Sequence, residues 1–398
     1  MNIFNSLGSN YDTSFVKLAL RAKNDPTDSE KLKTYLASRY NGEVHLTYKG
    51  RDAIYLALLA SHLPPQSKII ITGFTCIAVY NAVRQAGFTP ILLDIEGTSL
   101  NFTPKKLQEA LSSDPLIKAV IIQNTLGIPA NLDEFLSLCK KYRCILIEDM
   151  AHCVGGTYIG GEEMGTKGDI SVFSFSQDKA IDSVSGGALI IRNRELQRFT
   201  PQESLKRTGW DEYIDRIYPY VTSIIRATYS FGIGKLLHFL FSTFGILRKP
   251  VEHKNVLYEL TPWHCLLAKQ AFDASDKEIA HRQEIAQMYH QSIDKSVQSE
   301  YITKHILMTN NLRFPIFVEN RASLFSYLKG RGIHVEDTWY DSPVAPKKYV
   351  KNLNLELTLP NAQKIAQTIV NLPTHKYITT CEALQISEHI NQWLKQNK

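Results

Sequence analysis

No C-x-x-C pair occurs anywhere in the 398 residues. The six cysteines, Cys76, Cys139, Cys144, Cys153, Cys265 and Cys381, show neither zinc-ligand spacing nor the pattern of a disulfide framework. Buried, reduced thiols are the expectation, and no metal site is expected. Basic blocks are also missing: the net charge of +6 is spread through the chain, so nucleic acid is not indicated. The first ten residues, MNIFNSLGSN, lack the basic start and long apolar core of a signal peptide. A cytoplasmic protein is the resulting expectation. Acids are absent from Tyr218 to Leu247, where Arg226, Lys235 and His238 are the only potential cations. The longest stretch there without Lys, Arg, Asp or Glu runs from Leu236 to Leu247, short of the ~20 apolar residues that span a bilayer. Two helices broken near Gly232 and Gly234 are expected instead, buried in a dimer interface or lying on a membrane surface.

What is present is ordinary for a globular protein: 44% hydrophobic and 21% charged residues. At one domain per ~150 residues, the length predicts two or three domains and permits a large core. Residues 1–40 read as an arm with one or two helices that supplies no chemistry. From residue 68 to 149, apolar runs alternate with amphipathic helical patterns: KIIITGF, CIAVYNAVRQAG, TPILLDI, TPKKLQEAL, IKAVIIQN, NLDEFLSLCKKY and RCILIED. Short continuous apolar runs between helices predict buried parallel strands, hence an α/β fold. Residues 251–398 read as a smaller α+β domain after a larger one at 1–250. Its long helix starts at Thr261-Pro262. NLRFPIFV and GIHVEDTW are its strand candidates, and PNAQKIAQTIVNLP and CEALQISEHINQWL two more helices.

The chain is organised around Ile145–Asn193. One apolar run stops at Glu148 and Asp149, another strand pattern covers Asp169 to Ser176, Lys179 follows, and Ala188 to Ile191 closes the block. A strand-terminal aspartate and a lysine just past another strand are what pyridoxal phosphate chemistry requires. The lysine forms the Schiff base, and the carboxylate keeps the pyridine nitrogen protonated. Ser174 and Ser176 add hydroxyls suited to a phosphate, and Gly50 opens an apolar helix whose N-terminal N–H groups suit one too. Singly, Asp149 could cap a turn, Lys179 could be solvated, and Gly50 could open an ordinary capped helix.

The ordered set EDMAH, SFSQDK and VSGG resembles the DegT/DnrJ/EryC1/StrS aminotransferases, fold-type I enzymes that often act on nucleotide-linked keto-sugars. The resemblance runs from about Val44 to the C-terminal helix. It implies a large mostly parallel-sheet αβα domain with a smaller C-terminal α+β domain, and pyridoxal 5'-phosphate as cofactor. Lys179 becomes the catalytic residue. Gly50, Arg51, Asp52 and Ser174 become the phosphate seat, Asp149 the partner of the ring nitrogen, and His152 a contact of the ring, with Ser176 beside them. Cys76, in GFTCIA, stands where the family has an aromatic that stacks on the cofactor. Ser185 stands where the family has Glu. In VLYELTPW, Tyr258 matches the segment that crosses to a neighbouring subunit, while Leu257 and Glu259 replace its Asn and Arg.

The resemblance further implies transfer of an amino group from glutamate or glutamine to a keto-sugar, in surface-polysaccharide or secondary-metabolite sugar synthesis, by a homodimer. Two other readings stay open from the sequence. One is a degenerate relative that binds the cofactor and serves as a sensor. The other is a membrane-surface protein, working on a non-sugar or lipid-linked substrate, for which 218–247 is the working part.

Overall fold

The structure, a computed structural model, describes residues 2–201, 204–207, 209–247, 256–336, 338–350 and 359–397. The expected domain boundary between Pro250 and Val251 lies outside them. The arm carries β1 (Ile3–Phe4), α1 (Thr13–Arg21) and α2 (Pro26–Tyr40). Asp12 and Asp25 cap the two helices through their carboxylates, which accept from Phe15 and Thr27 N–H.

The alternating region then builds β2 (Glu43–Thr47), α3 (Gly50–Ala60), β3 (Lys68–Thr72), β4 (Thr75–Cys76), α4 (Ile77–Gln85) and β5 (Thr89–Leu93). It continues with α5 (Pro104–Ser113), β6 (Ile117–Ile122), α6 (Leu132–Tyr142), β7 (Ile145–Asp149), β8 (Ile170–Ser174) and β9 (Gly187–Ile191). Seven strands form one sheet in the order β2-β9-β8-β7-β6-β3-β5. All neighbours are parallel except β9, which runs antiparallel to both β2 and β8. Both faces are covered, which explains why the strands read as unbroken apolar runs. Ile70, Val120, Leu146 and Ile190 join the core beneath α2, α5 and α6, whereas Ile69, Ile71, Ile121 and Ile147 join the one beneath α3 and α4.

The acid-free segment forms the second half of α7 (Gly209–Thr228) and all of α8 (Ile233–Thr243). The pair starts earlier than residue 218 and breaks at Gly232, whose φ of +78° is left-handed. Gly234 lies inside α8, where a Cβ would come within 2.2 Å of the Ile225 carbonyl oxygen; glycine is what lets the two helices touch. α7 buries Ile214, Tyr218, Val221 and Ile225. Leu237, Leu240 and Phe241 are half-buried, while Phe231, Ile233, Leu236, Phe239 and Phe244 are exposed.

The remaining elements are α9 (Pro262–Ser292), α10 (Glu300–Lys304), β10 (Phe314–Phe317), α11 (Arg321–Lys329), β11 (Ile333–His334) and β12 (Val344–Ala345), then α12 (Lys347–Val350), α13 (Pro360–Thr368), β13 (Ile369–Leu372) and α14 (Thr380–Gln396). Three sequence expectations change here. The predicted helix PNAQKIAQTIVNLP stops at Thr368, because Ile369 to Leu372 pair antiparallel with β10; a β-branched pair followed by Asn and Leu is ambiguous until a strand partner exists. GIHVEDTW contributes only the two-residue β11, paired with β1 of the arm. Thr261 sits at the α9 N-cap, but its hydroxyl meets His264 Nδ1 at 2.6 Å instead of a backbone N–H. Of the thiols, Cys139, Cys144, Cys153 and Cys265 are buried, Cys76 is half-buried, and Cys381 is exposed.

Candidate active site

A cavity of about 180 Å³ opens at the carboxyl ends of the parallel strands, where an open α/β sheet leaves a crevice between connections. Gly50, Arg51, Cys76, Asp149, His152, Ser174, Ser176 and Lys179 line it. Asp52 does not; its carboxyl is buried one residue further along α3 and raised to about 6 by that burial.

Lys179 lies on a loop between β8 and β9 that the chain fixes from several sides. Asp178 has a φ of +64° and Val184 of +69°, conformations that persist only when neighbours impose them. Asp182 does so: its carboxylate accepts from Asp178 N–H at 2.8 Å, Val184 N–H at 2.9 Å and the Tyr11 hydroxyl at 2.9 Å. Asn10 donates to the Lys179 carbonyl at 3.1 Å. The arm therefore positions the loop, although its side chains stay out of the cavity lining. Burial lowers the Lys179 amine below its ordinary pKa, the cation of Arg313 adds to this, and Asp149 opposes it.

The two acids ending β7 separate. Glu148 is wholly buried and accepts from the Tyr158 hydroxyl at 2.7 Å, the N–H groups of Gly165, Lys167 and Gly168, and Arg192 at 3.2 Å. Asp149 lines the cavity and accepts from one N–H, that of Ala151 at 3.0 Å. Burial raises the Asp149 carboxyl to about 6, against the pull of that hydrogen bond and of Lys179.

His152 faces Leu126 N–H at 3.4 Å and the Tyr340 hydroxyl at 3.2 Å through Nδ1. Nδ1 is therefore the acceptor and Nε2 carries the proton. Burial, with Lys179 and Arg313 nearby, pushes the imidazole well below its ordinary pKa, so it is neutral. Its ring stacks on Trp339 with centroids 5.3 Å apart and planes 5° from parallel. The Lys179 Nζ lies 4.2 Å from the centre of the Trp339 ring. Tyr340 is held by stacking on Phe74 at 4.6 Å. Cys76 caps α4, its sulfur 3.4 Å from Ala78 N. Aromatic surface that Cys76 cannot offer is thus present, brought by Trp339 from the far end of the chain.

At the other end of the cavity, α3 begins with no side-chain cap. A Cβ on Gly50 would sit 2.7 Å from Ser174 Cβ, so glycine permits the helix start to approach the end of β8. Lys49, the preceding residue, is buried and lines the same cavity. Its Nζ donates to Ser185 Oγ at 2.8 Å, and Ser185 Oγ donates to the Tyr48 hydroxyl at 3.1 Å. Burial lowers Lys49 to about 8. Tyr48 in turn donates to Asp215 of α7 at 2.5 Å and meets the ring of Tyr258 at 6.1 Å. Tyr258 is in the segment that bridges to Leu205 of its own chain.

Sequence reasoning missed Lys49, Gln123, Trp339 and Tyr340. Lys49 sits beside the Gly50 signal, and Gln123 follows β6 as a polar residue at a strand end. Trp339 and Tyr340 carried no signal, because an aromatic pair in a strand-like run reads as core.

The DegT/DnrJ/EryC1/StrS aminotransferase family matches residues 30–391. GDP-perosamine synthase of Escherichia coli O157:H7 is 24% identical over 354 residues, covering 86% of this chain and 84% of that one. UDP-4-amino-4,6-dideoxy-N-acetyl-beta-L-altrosamine transaminase of Campylobacter jejuni is 27% identical over 362 residues, covering 87% and 84%. Among solved structures, Helicobacter pylori PseC, an aminotransferase involved in the biosynthesis of pseudoaminic acid, superposes with a TM-score of 0.75 at 17% identity over 100% of both chains. The chain belongs to the DegT/DnrJ/EryC1/StrS family and is a pyridoxal phosphate-dependent aminotransferase.

Proposed function

We propose that this aminotransferase moves an amino group from glutamate or glutamine to a keto-sugar carried on a nucleotide, in the cytoplasm, for surface-polysaccharide or secondary-metabolite sugar synthesis. The acceptor class rests on the two relatives named for GDP- and UDP-linked amino sugars. The observation that carries the site assignment is Lys179, an amine with lowered pKa placed with Asp149 and His152 in one cavity.

The residues fit the cofactor. Asp149 is a buried carboxylate with one neutral donor, ready for a cationic ring nitrogen. The uncapped start of α3, with no room for a Cβ at Gly50, leaves a cradle for phosphate. When bound, pyridoxal phosphate supplies an electron sink for the C–H bond beside the transferred nitrogen. Asp149 would hold the ring nitrogen protonated, and His152, neutral, lines the same cavity. The backbone of Gly50, Arg51 and Asp52, with the hydroxyls of Ser174 and Ser176, would receive the phosphate, with Arg51 adding a cation there. Lys179 would form the covalent attachment and, once released, take and return the proton at Nζ, an amine whose pKa burial lowers. Cys76 and Trp339 line the cavity where the ring would lie, Trp339 offering the larger apolar surface.

Two further assignments belong to this reading. The chain divides into a large domain up to about residue 250 and a small one after it, with the cavity closed by Trp339 and Tyr340 of the latter. A second copy of the chain covers the flank on and beside α8, where Phe231, Ile233, Leu236, Phe239 and Phe244 are exposed, because extended apolar surface seldom faces water and a two-fold contact lets one surface cover itself.

The test is borohydride reduction with pyridoxal phosphate followed by peptide mapping, then turnover with glutamate and a panel of nucleotide keto-sugars. The reduced adduct is expected on Lys179 and turnover is expected to vanish in Lys179→Ala. An adduct on Lys49, the other lysine in the cavity, would overturn the assignment.

A further inference from the structure

Lys49 is a buried cation of the cavity that no step of the mechanism uses. It is 7% exposed and lines the cavity beside Gly50 and Arg51. Its backbone bridges to Gly186 and holds it at the N-cap of α3, where its side chain offers the helix no acceptor. Among the described residues, the one hydrogen bond of its Nζ runs to Ser185 Oγ at 2.8 Å. An ammonium carries three donors, so a single hydroxyl leaves the charge without an anion and two N–H groups without a partner.

The charged groups around Lys49 do not supply that anion. Asp215 of α7 acts on it most strongly, but the Asp215 carboxylate already accepts from Arg207 and from the Tyr48 hydroxyl and stands 3.3 Å from His264 Nε2 of α9. Burial keeps His264 below its ordinary pKa and the Tyr48 phenol above its own, so neither carries a charge. Arg51 and Asp52 of α3 act on Lys49 with opposite signs. Lys49, Arg51 and Arg207 therefore stand against Asp52 and Asp215 at the positive end of a helix. The balance is a surplus of positive charge inside the cavity wall.

An amine differs from a guanidinium in that it can shed its proton. Burial lowers Lys49 to about 8, so the empty site loses this charge as pH rises through that value. An anion arriving beside it favours the charged form and reverses the loss. The uncapped N–H groups of α3, the Ser174 hydroxyl next to Gly50, and this ammonium lie around one spot. Such a set suits a phosphate dianion.

We propose that Lys49 is the cation that pairs with the cofactor's phosphate, supplied by the same chain as Lys179, and that loading takes up a proton from solvent at its Nζ. This rests on the reading that the cavity holds pyridoxal phosphate.

The test uses cofactor-free protein and 4'-deoxypyridoxine 5'-phosphate, which keeps the ring and the phosphate but has no aldehyde to react with a lysine. 4'-Deoxypyridoxine, without the phosphate, is the control. Above about pH 7 the phosphate is largely ionised, and the control subtracts the titration of the ring. In wild-type protein the affinity for the phosphate compound, relative to the control, is expected to hold up to about pH 8 and then fall by up to about tenfold per unit. Calorimetry at about pH 8.5, in buffers of different ionisation enthalpy, is expected to show uptake of about three-quarters of a proton per molecule bound. Lys49→Met is expected to weaken the phosphate compound by about 10- to 100-fold, to leave the control within about twofold, and to abolish the alkaline fall and the proton uptake. Lys49→Arg, which cannot shed its proton, is expected to hold the affinity within about tenfold and to lose the fall. Arg51→Gln is expected to weaken the phosphate compound and to keep the fall.

A wild-type affinity ratio that stays flat to about pH 9.5, or binding with no proton taken up, overturns the proposal without depending on any variant's folding. Equal losses of both compounds in Lys49→Met make Lys49 structural and overturn it as well. Failure of both compounds to bind wild-type protein removes the cofactor reading of the cavity and the Lys49 assignment with it. Binding of both, with a preference for the phosphate that Lys49→Met leaves unchanged, removes the Lys49 assignment alone.

Discussion

Glu148 and Asp149 are adjacent acids at the end of β7 that point to opposite sides of the sheet, one closed off by hydrogen bonds and the other open to the cavity. Alternation along a strand makes this unavoidable, since neighbouring side chains leave opposite faces. The same kind of side chain thus serves structure at one position and the site at the next.

Replacing Asp149 with Asn is expected to leave the fold intact and lower turnover by orders of magnitude. The free carboxyl titrates near 6, and pairing with a cationic ring nitrogen favours its charged form. Cofactor affinity should be highest above that pH and fall as pH drops through it, by up to about tenfold per unit. Titrations from about pH 5 to 8 check this; the Asp149→Asn protein should show no such fall. Near-normal turnover would reduce Asp149 to a turn cap. The sign for stability is opposite: the unfolded carboxyl ionises near ~3.9, so the cofactor-free fold loses stability as pH rises from there to about 6.

Glu148→Gln should do the reverse. It leaves Arg192 with a neutral partner in a buried network, which is expected to destabilise the fold by about 3 kcal/mol. Urea unfolding measures that loss, and equilibrium dialysis of pyridoxal phosphate should show affinity within a few-fold of wild type. A cofactor defect without a stability defect would place Glu148 in the site.

Gly50→Ala contradicts the usual preference of helices for alanine. The added methyl would lie 2.7 Å from Ser174 Cβ and push the first turn of α3 away from β8. Cofactor affinity should drop by about tenfold or more, since a charge-assisted hydrogen bond contributes ~1.5–3 kcal/mol. Unchanged affinity would put the phosphate elsewhere.

Serine at Leu236, Phe239 and Phe244, the outward residues on and just after α8, should convert a dimer into a monomer by sedimentation. Leu237 and Phe241, half-buried, are left in place so that stability is not the variable. A dimer that persists while binding to anionic vesicles is lost would assign the flank to a membrane surface.

The sequence by itself determined the alternation of apolar runs and helices, the parallel sheet, and the positions of Asp149 and Lys179, because buried strands and chemistry at strand ends leave local marks. It also marked the second half of α7 and all of α8 by their lack of acids, though not which residues turn outward. Tertiary structure decided the rest. Strand pairing gave Ile369–Leu372 its conformation. Folding brought Lys49 into the cavity and set Trp339 against His152 from 187 positions away in the chain. Arg313 looks like any charged residue in the sequence; only the packing of α9, β10 and Trp339 around it leaves its donors without partners among the described residues. Such juxtapositions join residues far apart in the chain, and no local pattern of propensity or periodicity encodes them.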